Sequence, residues 1–178
     1  LFTVQGYLDT LIEGGAIKDK TLRVKYIERA SKGVERLISI VQDLDMISKF
    51  EVGDLNLEVT KFDIIVEIQN VFDLLEMKAD AKNIILMFDE KYITPIYVYA
   101  DKDKIQQVLT NLVMNSIKYG KENGTTEISI ERINKNKVLV RIQDNGDGIE
   151  QQHLSRIFER FYRISKSGSR EEGGSGLG

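Results

Sequence analysis

The chain has 178 residues, of which 42% are hydrophobic and 30% are charged, and its formal net charge is −3. This length suits one or two domains, and the apolar content supports a packed core. Lysine and arginine are spread along the chain, which argues against nucleic-acid binding. The lack of cysteine excludes disulfides and thiolate metal sites. No apolar run approaches the ~18 residues of a membrane helix, so we expect this chain to make no membrane contact.

The N-terminal third is predicted to form two helices. Residues 1–13 are apolar at helical spacing, and the pattern stops at Gly14. Residues 21–50 predict a longer helix, along which apolar residues recur alternately every three and four positions. This heptad seam consists of Ile27, Ala30, Val34, Leu37, Val41 and Leu44.

A helix of this length needs a partner to bury its seam. We therefore expect a helical hairpin over residues 1–50 that pairs with a second copy, giving a homodimer with a four-helix bundle. A helix that packs only on its own domain is the alternative. The segment Glu51–Asp54 breaks the helix, which predicts one domain over residues 1–53 and another over residues 54–178.

The elements predicted after this boundary are mixed. Alternating apolar patterns predict strands, and a 3.6-residue period predicts helices. In chain order they are a strand over 55–60, a helix over 63–82, strands over 84–88 and 96–100, a helix over 101–119, and a hairpin of 127–133 and 138–144. This order predicts an α+β domain in which helices cover one face of a mixed sheet.

The predicted helix Asp101–Tyr119 carries a polar stripe of unusual composition. Asn111, Asn115 and Lys118 align at i, i+4 and i+7, with Tyr119 at their edge. Asparagine is a weak helix former, so two asparagines within a helix indicate a functional site. A solvated polar face is the alternative. The apolar side of the helix is predicted to comprise Ile105, Leu109, Leu112, Val113 and Ile117.

The loop after the last predicted strand carries a carboxylate and two glycines. The strand delivers Asp144, and Gly146 and Gly148 follow at alternate positions. Glycine allows the backbone to approach a ligand closely. A carboxylate at a strand end can accept a hydrogen bond from an exocyclic amine such as that of adenine. Taken alone, the segment is more simply interpreted as an Asn-Gly or Asp-Gly turn.

Two further segments follow toward the C-terminus. Residues 157–163 form an aromatic patch interleaved with arginines, and the polar residues 165–172 lack periodicity, which predicts mobility. The cluster 173–178 is rich in glycine, which suits a backbone nest around phosphate oxygens or a flexible linker. An aromatic hinge before a mobile, glycine-ended loop predicts a lid over a nucleotide.

Together these four segments resemble the sequence boxes of the ATP-binding domain of sensor histidine kinases. Asn111–Tyr119 is similar to the N box, Asp144–Gly148 to the G1 box, Phe158–Arg163 to the F box, and Gly174–Gly178 to the start of the G2 box. The N-terminal helices resemble the dimerisation and phosphotransfer hairpin of the family, so the resemblance covers essentially the whole chain. It implies a helical hairpin followed by an α/β sandwich of the GHKL ATPase type.

The resemblance implies roles for the matched residues. Asn115 would be the magnesium ligand, and Asn111, Lys118 and Arg163 would act in catalysis. Asn111 lies where ATP-hydrolysing relatives carry a glutamate that activates water. An amide cannot act as that base, which favours phosphoryl transfer to a protein. The ATP-binding positions would be Asn115, Tyr119, Asp144, Gly146, Gly148, Arg160, Gly174, Ser175, Gly176, Leu177 and Gly178.

The resemblance further implies a protein histidine kinase that uses ATP and Mg²⁺. The γ-phosphoryl group would pass to a histidine upstream of Leu1, and then to an aspartate of a response-regulator receiver domain. His153, the single histidine of the sequence, is given no catalytic role, and the chain is expected to stop within the G2 box. We expect a cytoplasmic portion of a longer protein, and the sequence leaves open whether that protein is anchored in the inner membrane.

Two other functions remain open. A dimeric nucleotide-binding module could regulate a partner without catalysis, although the intact motif residues weigh against this interpretation. A serine-directed GHKL kinase is the second alternative. Such relatives usually lack the long dimerisation hairpin that the N-terminal sequence predicts.

Overall fold

The computed structural model describes residues 2–13, 19–53, 56–92, 94–159, 162 and 164. These residues form two compact units. The helical unit draws its described residues from the first 55 residues and from Arg156 onward, and the α/β unit comprises Asn56–Ser155. No described helix is both long enough and apolar enough to span a bilayer. The helices of the helical unit are α1 (Phe2–Ile12) and α2 (Lys20–Val52).

Local capping sets both ends of α2. The side chain of Asp19 accepts hydrogen bonds from the N–H groups of Thr21 and Leu22 at 2.8 and 3.1 Å, as expected of an N-cap. The helix ends at Gly53, whose φ of +75° lies in the left-handed region that favours glycine. The predicted long helix is confirmed, and it continues to Val52.

Helices α1 and α2 form an antiparallel hairpin. Near the start of α1, Val4 contacts Gly33, where a Cβ atom would overlap the valine side chain. Further along α1, the ring centres of Tyr7 and Tyr26 lie 5.9 Å apart. A later residue of α1 thus contacts an earlier residue of α2, so the two helices run in opposite directions. The structure thus contains the predicted hairpin.

Most of the heptad seam is exposed in the single chain. Ala30 is buried and Leu37 is half-buried. An apolar row of this length is expected to be covered by another surface. The remaining seam residues have between 44% and 65% of their surface exposed: Ile27, Val34, Val41 and Leu44.

The α/β unit contains a small antiparallel sheet and a three-stranded mixed sheet. Its elements are β1 (Val59–Asp63), α3 (Ile64–Asp80), β2 (Ile85–Phe88), β3 (Tyr97–Asp101), α4 (Lys102–Tyr119), β4 (Thr125–Asn134), β5 (Lys137–Asp144) and α5 (Gln151–Leu154). Strand β1 pairs with β3. Strand β4 lies between β2 and β5, parallel to β2 and antiparallel to β5. The predicted mixed sheet and the β4–β5 hairpin are confirmed.

The first strand begins later than the sequence indicates. The alternating pattern predicts a strand from residue 55, whereas β1 begins at Val59, which pairs with Asp101. Asp101 is the last residue of β3, so no residue of β3 lies opposite the positions before Val59. The N–H of Glu58 instead donates to Asp101 Oδ2 at 3.1 Å. The prediction of the strand start was therefore wrong because backbone pairing, rather than side-chain alternation, sets it.

Aspartates at strand ends begin the two long helices of this unit. Strand β1 ends at Asp63, whose Oδ1 accepts from the N–H groups of Ile65 and Ile96, each at 3.1 Å. Strand β3 ends at Asp101, whose Oδ1 accepts from the N–H of Lys104 at 3.1 Å. These caps confirm the predicted starts of α3 and α4, and each also joins its helix to a second segment of the unit.

Helices α3 and α4 pack on one face of the mixed sheet. The completely buried residues of this core come from α3, α4 and β4, and alternate residues of β2 and β5 pack against them. The prediction that helices cover one sheet face is confirmed. The core side chains without exposed surface are Ile68, Val71, Val113 and Ile128.

Candidate functional site

The end of α4 and the loop after β5 lie against each other. A Cβ atom on Gly146 would lie 2.6 Å from the carbonyl oxygen of Tyr119 and 2.7 Å from Asp144 Oδ1. Such distances are too short for a side chain, so glycine is required between the two segments. The structure therefore brings together the segments Asn111–Tyr119 and Asp144–Gly148.

Asp144 is held by a turn of its own loop. Its Oδ1 accepts a hydrogen bond from the N–H of Gly146 at 2.8 Å, as in an Asx turn. Asn145 Oδ1 accepts from the N–H of Thr125 at 3.1 Å, and Gly148 turns the chain at a φ of +73°. Among the described residues, Asp144 Oδ2 has no hydrogen-bond partner, and the side chain is exposed. One carboxylate oxygen thus orients the group while the other is available to a ligand.

A buried hydroxyl pair joins α4 to the sheet beside Asp144. Ser116 Oγ and Thr126 Oγ1 lie 2.6 Å apart, and both residues are buried. Thr126 is the partner of Asp144 in the β4–β5 register. The sequence pattern did not predict this pair, although a serine on the same side of α4 as the apolar Val113 and Ile117 was a signal for it. The hydrogen bond fixes α4 at the level of the candidate site.

The polar stripe of α4 faces away from the core. Asn111 and Asn115 are exposed, and Lys118 is half-buried with its Nζ 4.9 Å from the ring centre of Tyr119. Leu112 is 48% exposed, so its predicted place on the apolar side was wrong. It precedes Asn115 by three positions and therefore lies on the same side of the helix. Leu112 adds apolar surface to the exposed face that carries the asparagines.

The protein groups that could bind a metal on this face are amides. Within the described ranges, no group of three or more His, Cys, Asp or Glu side chains could hold a metal ion. Mg²⁺ retains several waters and binds nucleotide phosphates, so it requires few protein ligands. The exposed amide of Asn115 supplies one oxygen and fits a magnesium site of that kind.

The segment after α5 contains an arginine with two partners. Arg156 Nη2 lies 3.0 Å from Glu159 Oε2, and the guanidinium lies 4.2 Å from the ring centre of Tyr162. The hydrogen bond to Glu159 raises the pKa of Arg156. Phe158 is exposed, and His153 lies on the short helix α5. The predicted lid residues lie outside the described part of the chain: Arg160, Arg163, Gly174, Ser175, Gly176, Leu177 and Gly178.

Known proteins resemble this chain in sequence and in fold. Residues 100–178 match the family described as histidine kinase-, DNA gyrase B- and HSP90-like ATPases. The solved structure of the Acinetobacter baumannii histidine kinase AdeS is 30% identical, with a TM-score of 0.73 over 89% of this chain and 75% of that chain. This chain belongs to the sensor histidine kinases.

Two further histidine kinases extend the comparison. The sensor histidine kinase WalK of Bacillus subtilis is 33% identical over 180 residues, which covers 100% of this chain and 29% of WalK. The structure of histidine kinase ThkA in complex with the response regulator protein TrrA is 29% identical and has a TM-score of 0.67. The match covers 90% of this histidine kinase chain and 48% of the ThkA chain.

These comparisons confirm the predicted family and the predicted fold class, a helical hairpin followed by an α/β sandwich of the GHKL ATPase type. The match of residues 100–178 to an ATPase family supports ATP binding by this histidine kinase chain.

Proposed function

We propose that the chain is the core of a protein histidine kinase. The parent protein would transfer the γ-phosphoryl group of Mg-ATP to a histidine upstream of Leu1, and then to an aspartate of a response-regulator receiver domain. The observation that carries this proposal is the close approach of Gly146 to Tyr119, which puts Asp144 beside the end of the polar stripe. The complex of the relative ThkA with a response regulator supports the class of partner.

The adenine end of the nucleotide lies at the G1 segment in this proposal. Asp144 Oδ2 accepts a hydrogen bond from the exocyclic amine of adenine. Gly146 and Gly148 let the backbone close on the base. The exposed ring of Tyr119 flanks the adenine or the ribose, and Lys118 neutralises phosphate charge.

The phosphate end of the nucleotide lies along α4. Asn115 would hold Mg²⁺ through its amide oxygen, and the ion would supply positive charge beside the phosphate oxygens. Asn111 lies one turn earlier, where an amide can orient a group but cannot remove its proton. Arg160, Arg163 and the glycine-rich segment 174–178 are proposed to bind phosphate as well, which is the role that the family resemblance implies for them.

The stripe supports transfer to a protein side chain rather than to water, because neither an asparagine amide nor a protonated lysine can act as the base that activates water. A neutral imidazole nitrogen is a competent nucleophile and needs no base on the pocket side, and its other nitrogen releases a proton to solvent after the transfer. It attacks the γ-phosphorus, the bond between that phosphorus and the β–γ bridging oxygen breaks, and ADP leaves. The phosphoryl group then passes from the imidazole to the receiver aspartate.

The helical hairpin is proposed to dimerise through the heptad seam. The exposure of Ile27, Val34, Val41 and Leu44 in the single chain supports this, because two such hairpins bury their apolar rows in a four-helix bundle. The hairpin also favours histidine-directed transfer over the serine-directed alternative. We place the boundary of the helical domain and the catalytic domain between residues 53 and 54, supported by the end of α2 at Gly53.

Labelling with ATP that carries a radioactive γ-phosphate tests the reaction. A longer protein that includes the upstream acceptor histidine and the complete lid segment should acquire an acid-labile, alkali-stable label, as phosphohistidine does. In that protein Asn115→Ala should abolish labelling. The matched variant Asn136→Ala, in the turn between β4 and β5, should label like the wild type.

The 178-residue chain should not label itself. Its single histidine is His153, which is not the proposed acceptor of the phosphoryl group. An acid-stable label on the longer protein would indicate serine-directed transfer instead. A label on His153 would also contradict the proposed reaction.

A further inference from the structure

A groove of about 380 Å³ runs between α3 and the outer edge of β2. None of the nucleotide-site residues that the structure describes lines it. Its floor is apolar, and its helical wall is polar and acidic. The floor consists of Phe72, Ala79, Ile84, Leu86 and Phe88, the wall consists of Gln69, Asp73, Glu76 and Asp80, and Ile85 and Met87 of β2 also line the groove.

The outer edge of β2 has backbone groups without a strand partner. In the sheet that the structure describes, β2 is an edge strand that pairs with β4 alone. Residues of a parallel strand direct their N–H and C=O groups alternately to the two sides. Ile85 and Asp89 donate to the β4 side, to Gly124 and Ile128 at 3.0 and 3.1 Å.

By this alternation the even-numbered residues of β2 direct their backbone groups away from β4, into the groove. These residues are Leu86 and Phe88, whose side chains are half-buried against the core. Without a strand partner, such N–H and C=O groups bond to water unless another chain pairs with them. An unpaired edge is a template for another strand.

The wall of the groove carries one sign of charge. Asp73, Glu76 and Asp80 lie at i, i+3 and i+7, so they share one face of α3 with Gln69. All four side chains are exposed, and Gln69 Nε2 donates to Asp73 Oδ1 at 2.9 Å. No lysine or arginine is among the described residues that line the groove. The groove therefore favours a basic occupant.

The two faces of β2 determine the side-chain pattern of the occupant. On the α3 side an added strand would meet the carboxylates of the wall. On the opposite side it would meet Ile85 and Met87, which are 61% and 41% exposed. Successive side chains of a strand point to opposite faces. An occupant that satisfies both faces alternates basic and apolar residues.

We propose that this groove binds an extended basic segment of a partner protein, which adds to the sheet as a strand beside β2. Main-chain hydrogen bonds to Leu86 and Phe88 provide affinity, and the alternating side chains provide specificity. This proposal is independent of the nucleotide site and of the reaction.

A capped peptide of the sequence Lys-Val-Lys-Val-Lys-Val-Lys serves as the probe, titrated into the ¹⁵N-labelled 178-residue chain. We expect saturable NMR shift changes that centre on the amides of Leu86 and Phe88, together with slower hydrogen exchange at both. A peptide with glutamate in place of lysine should not bind. A peptide with proline in place of the central valine should bind more weakly, because proline removes a donor and disturbs strand pairing.

Charge reversal on the wall tests the site itself. Asp73→Lys/Asp80→Lys should weaken binding of the lysine peptide by at least about tenfold. The matched variant Glu28→Lys/Glu122→Lys changes the net charge equally outside the groove and should bind like the wild type. Equal weakening by both variants would show unspecific charge attraction and overturn the proposal.

Two further outcomes would also overturn it. One is equal binding of the lysine and proline peptides, since a strand-pairing site must distinguish them. The other is a concentration-dependent change at Leu86 and Phe88 without peptide, which would show that a second copy of this chain occupies the groove.

Discussion

Asp101 and Asp144 are both aspartates at the ends of strands, but their carboxylates have different partners. Asp101 accepts backbone hydrogen bonds on both oxygens, from Lys104 and from Glu58. Asp144 accepts one, from Gly146, and in the described structure its second oxygen is free. Asp101 therefore stabilises the fold, whereas Asp144 can recognise a ligand.

Asp144→Asn should weaken binding of Mg-ATP by about 1–3 kcal/mol, the scale for a hydrogen bond to a charged group. The N–H of Gly146 keeps the amide oxygen on its side, so the amide nitrogen would face the adenine amine and place donor against donor. Isothermal titration calorimetry measures the change. Asp147→Asn removes the same charge from the same loop and should bind like the wild type. Unchanged affinity in Asp144→Asn would refute the role of Asp144.

The carboxyl group of Asp101 should make the free energy of unfolding depend on pH. The backbone hydrogen bond from Lys104, assisted by that from Glu58, lowers the pKa of Asp101 below its ordinary value of 3.8. Because the folded pKa is the lower one, the charged form contributes stability that is present above about pH 3.8 and is lost as the pH falls through the folded value.

Asp101→Asn lacks this contribution, so the stability difference between wild type and variant should narrow on acidification below that pH. Urea unfolding in a pH series measures it. Asp103→Asn removes a charge from the same helical turn without removing the cap and serves as control. A difference that stays constant or widens at low pH would count against the assignment.

At the scale of elements, α4 carries the predicted polar stripe outward and is joined to the sheet on its inner side. The inner contact includes the buried hydrogen bond of Ser116 and Thr126 at 2.6 Å. Since Thr126 pairs with Asp144 in the sheet, this hydrogen bond holds α4 at a set position relative to the Asp144 carboxylate. The geometry of the site thus depends on a contact outside the motifs.

Ser116→Ala should destabilise the protein by about 1–3 kcal/mol, because it leaves the buried Thr126 hydroxyl without its partner. Thr126→Val should cost a similar amount for the same reason. The double variant should cost clearly less than the sum, since neither polar group is then left unpaired. Chemical denaturation of the four proteins provides this double-mutant cycle. Additive losses would show that the two hydroxyls do not stabilise each other.

At the scale of the whole molecule, the two units differ in how much of their apolar surface is buried within the single chain. The α/β unit buries its helices on a sheet within the chain. The helical unit leaves most of its heptad seam exposed. The first unit therefore buries its own core, whereas the exposed seam of the second supports the proposed dimer.

Leu37→Glu/Val41→Glu should convert a dimer into monomers or prevent the hairpin from folding, because charge would be buried in the seam. Sedimentation of the wild type at tens of micromolar, roughly the range in which such bundles associate, should show a dimer. Ser39→Glu/Gln42→Glu adds the same charge off the seam on exposed positions of α2 and should remain dimeric. A monomeric wild type would contradict the proposed assembly.

The sequence by itself determined the elements whose signals are local. Asp19 and Gly53 bound α2, and Asp63 and Asp101 begin α3 and α4, because a cap acts on the N–H groups or carbonyls of its own helical turn. The four motif segments were also recognisable from residue type and spacing. Side-chain periodicity in turn predicted the strands of the mixed sheet and the apolar faces of the helices.

Only the tertiary structure decided the features that join distant residues. It separated β1 and β3 into their own sheet, shifted the strand start to Val59 and exposed Leu112. It also placed Gly146 against Tyr119 and paired Ser116 with Thr126. These features depend on which backbones and side chains meet across the fold. Periodicity and capping carry no information about such contacts, because they depend on neighbours within a few residues.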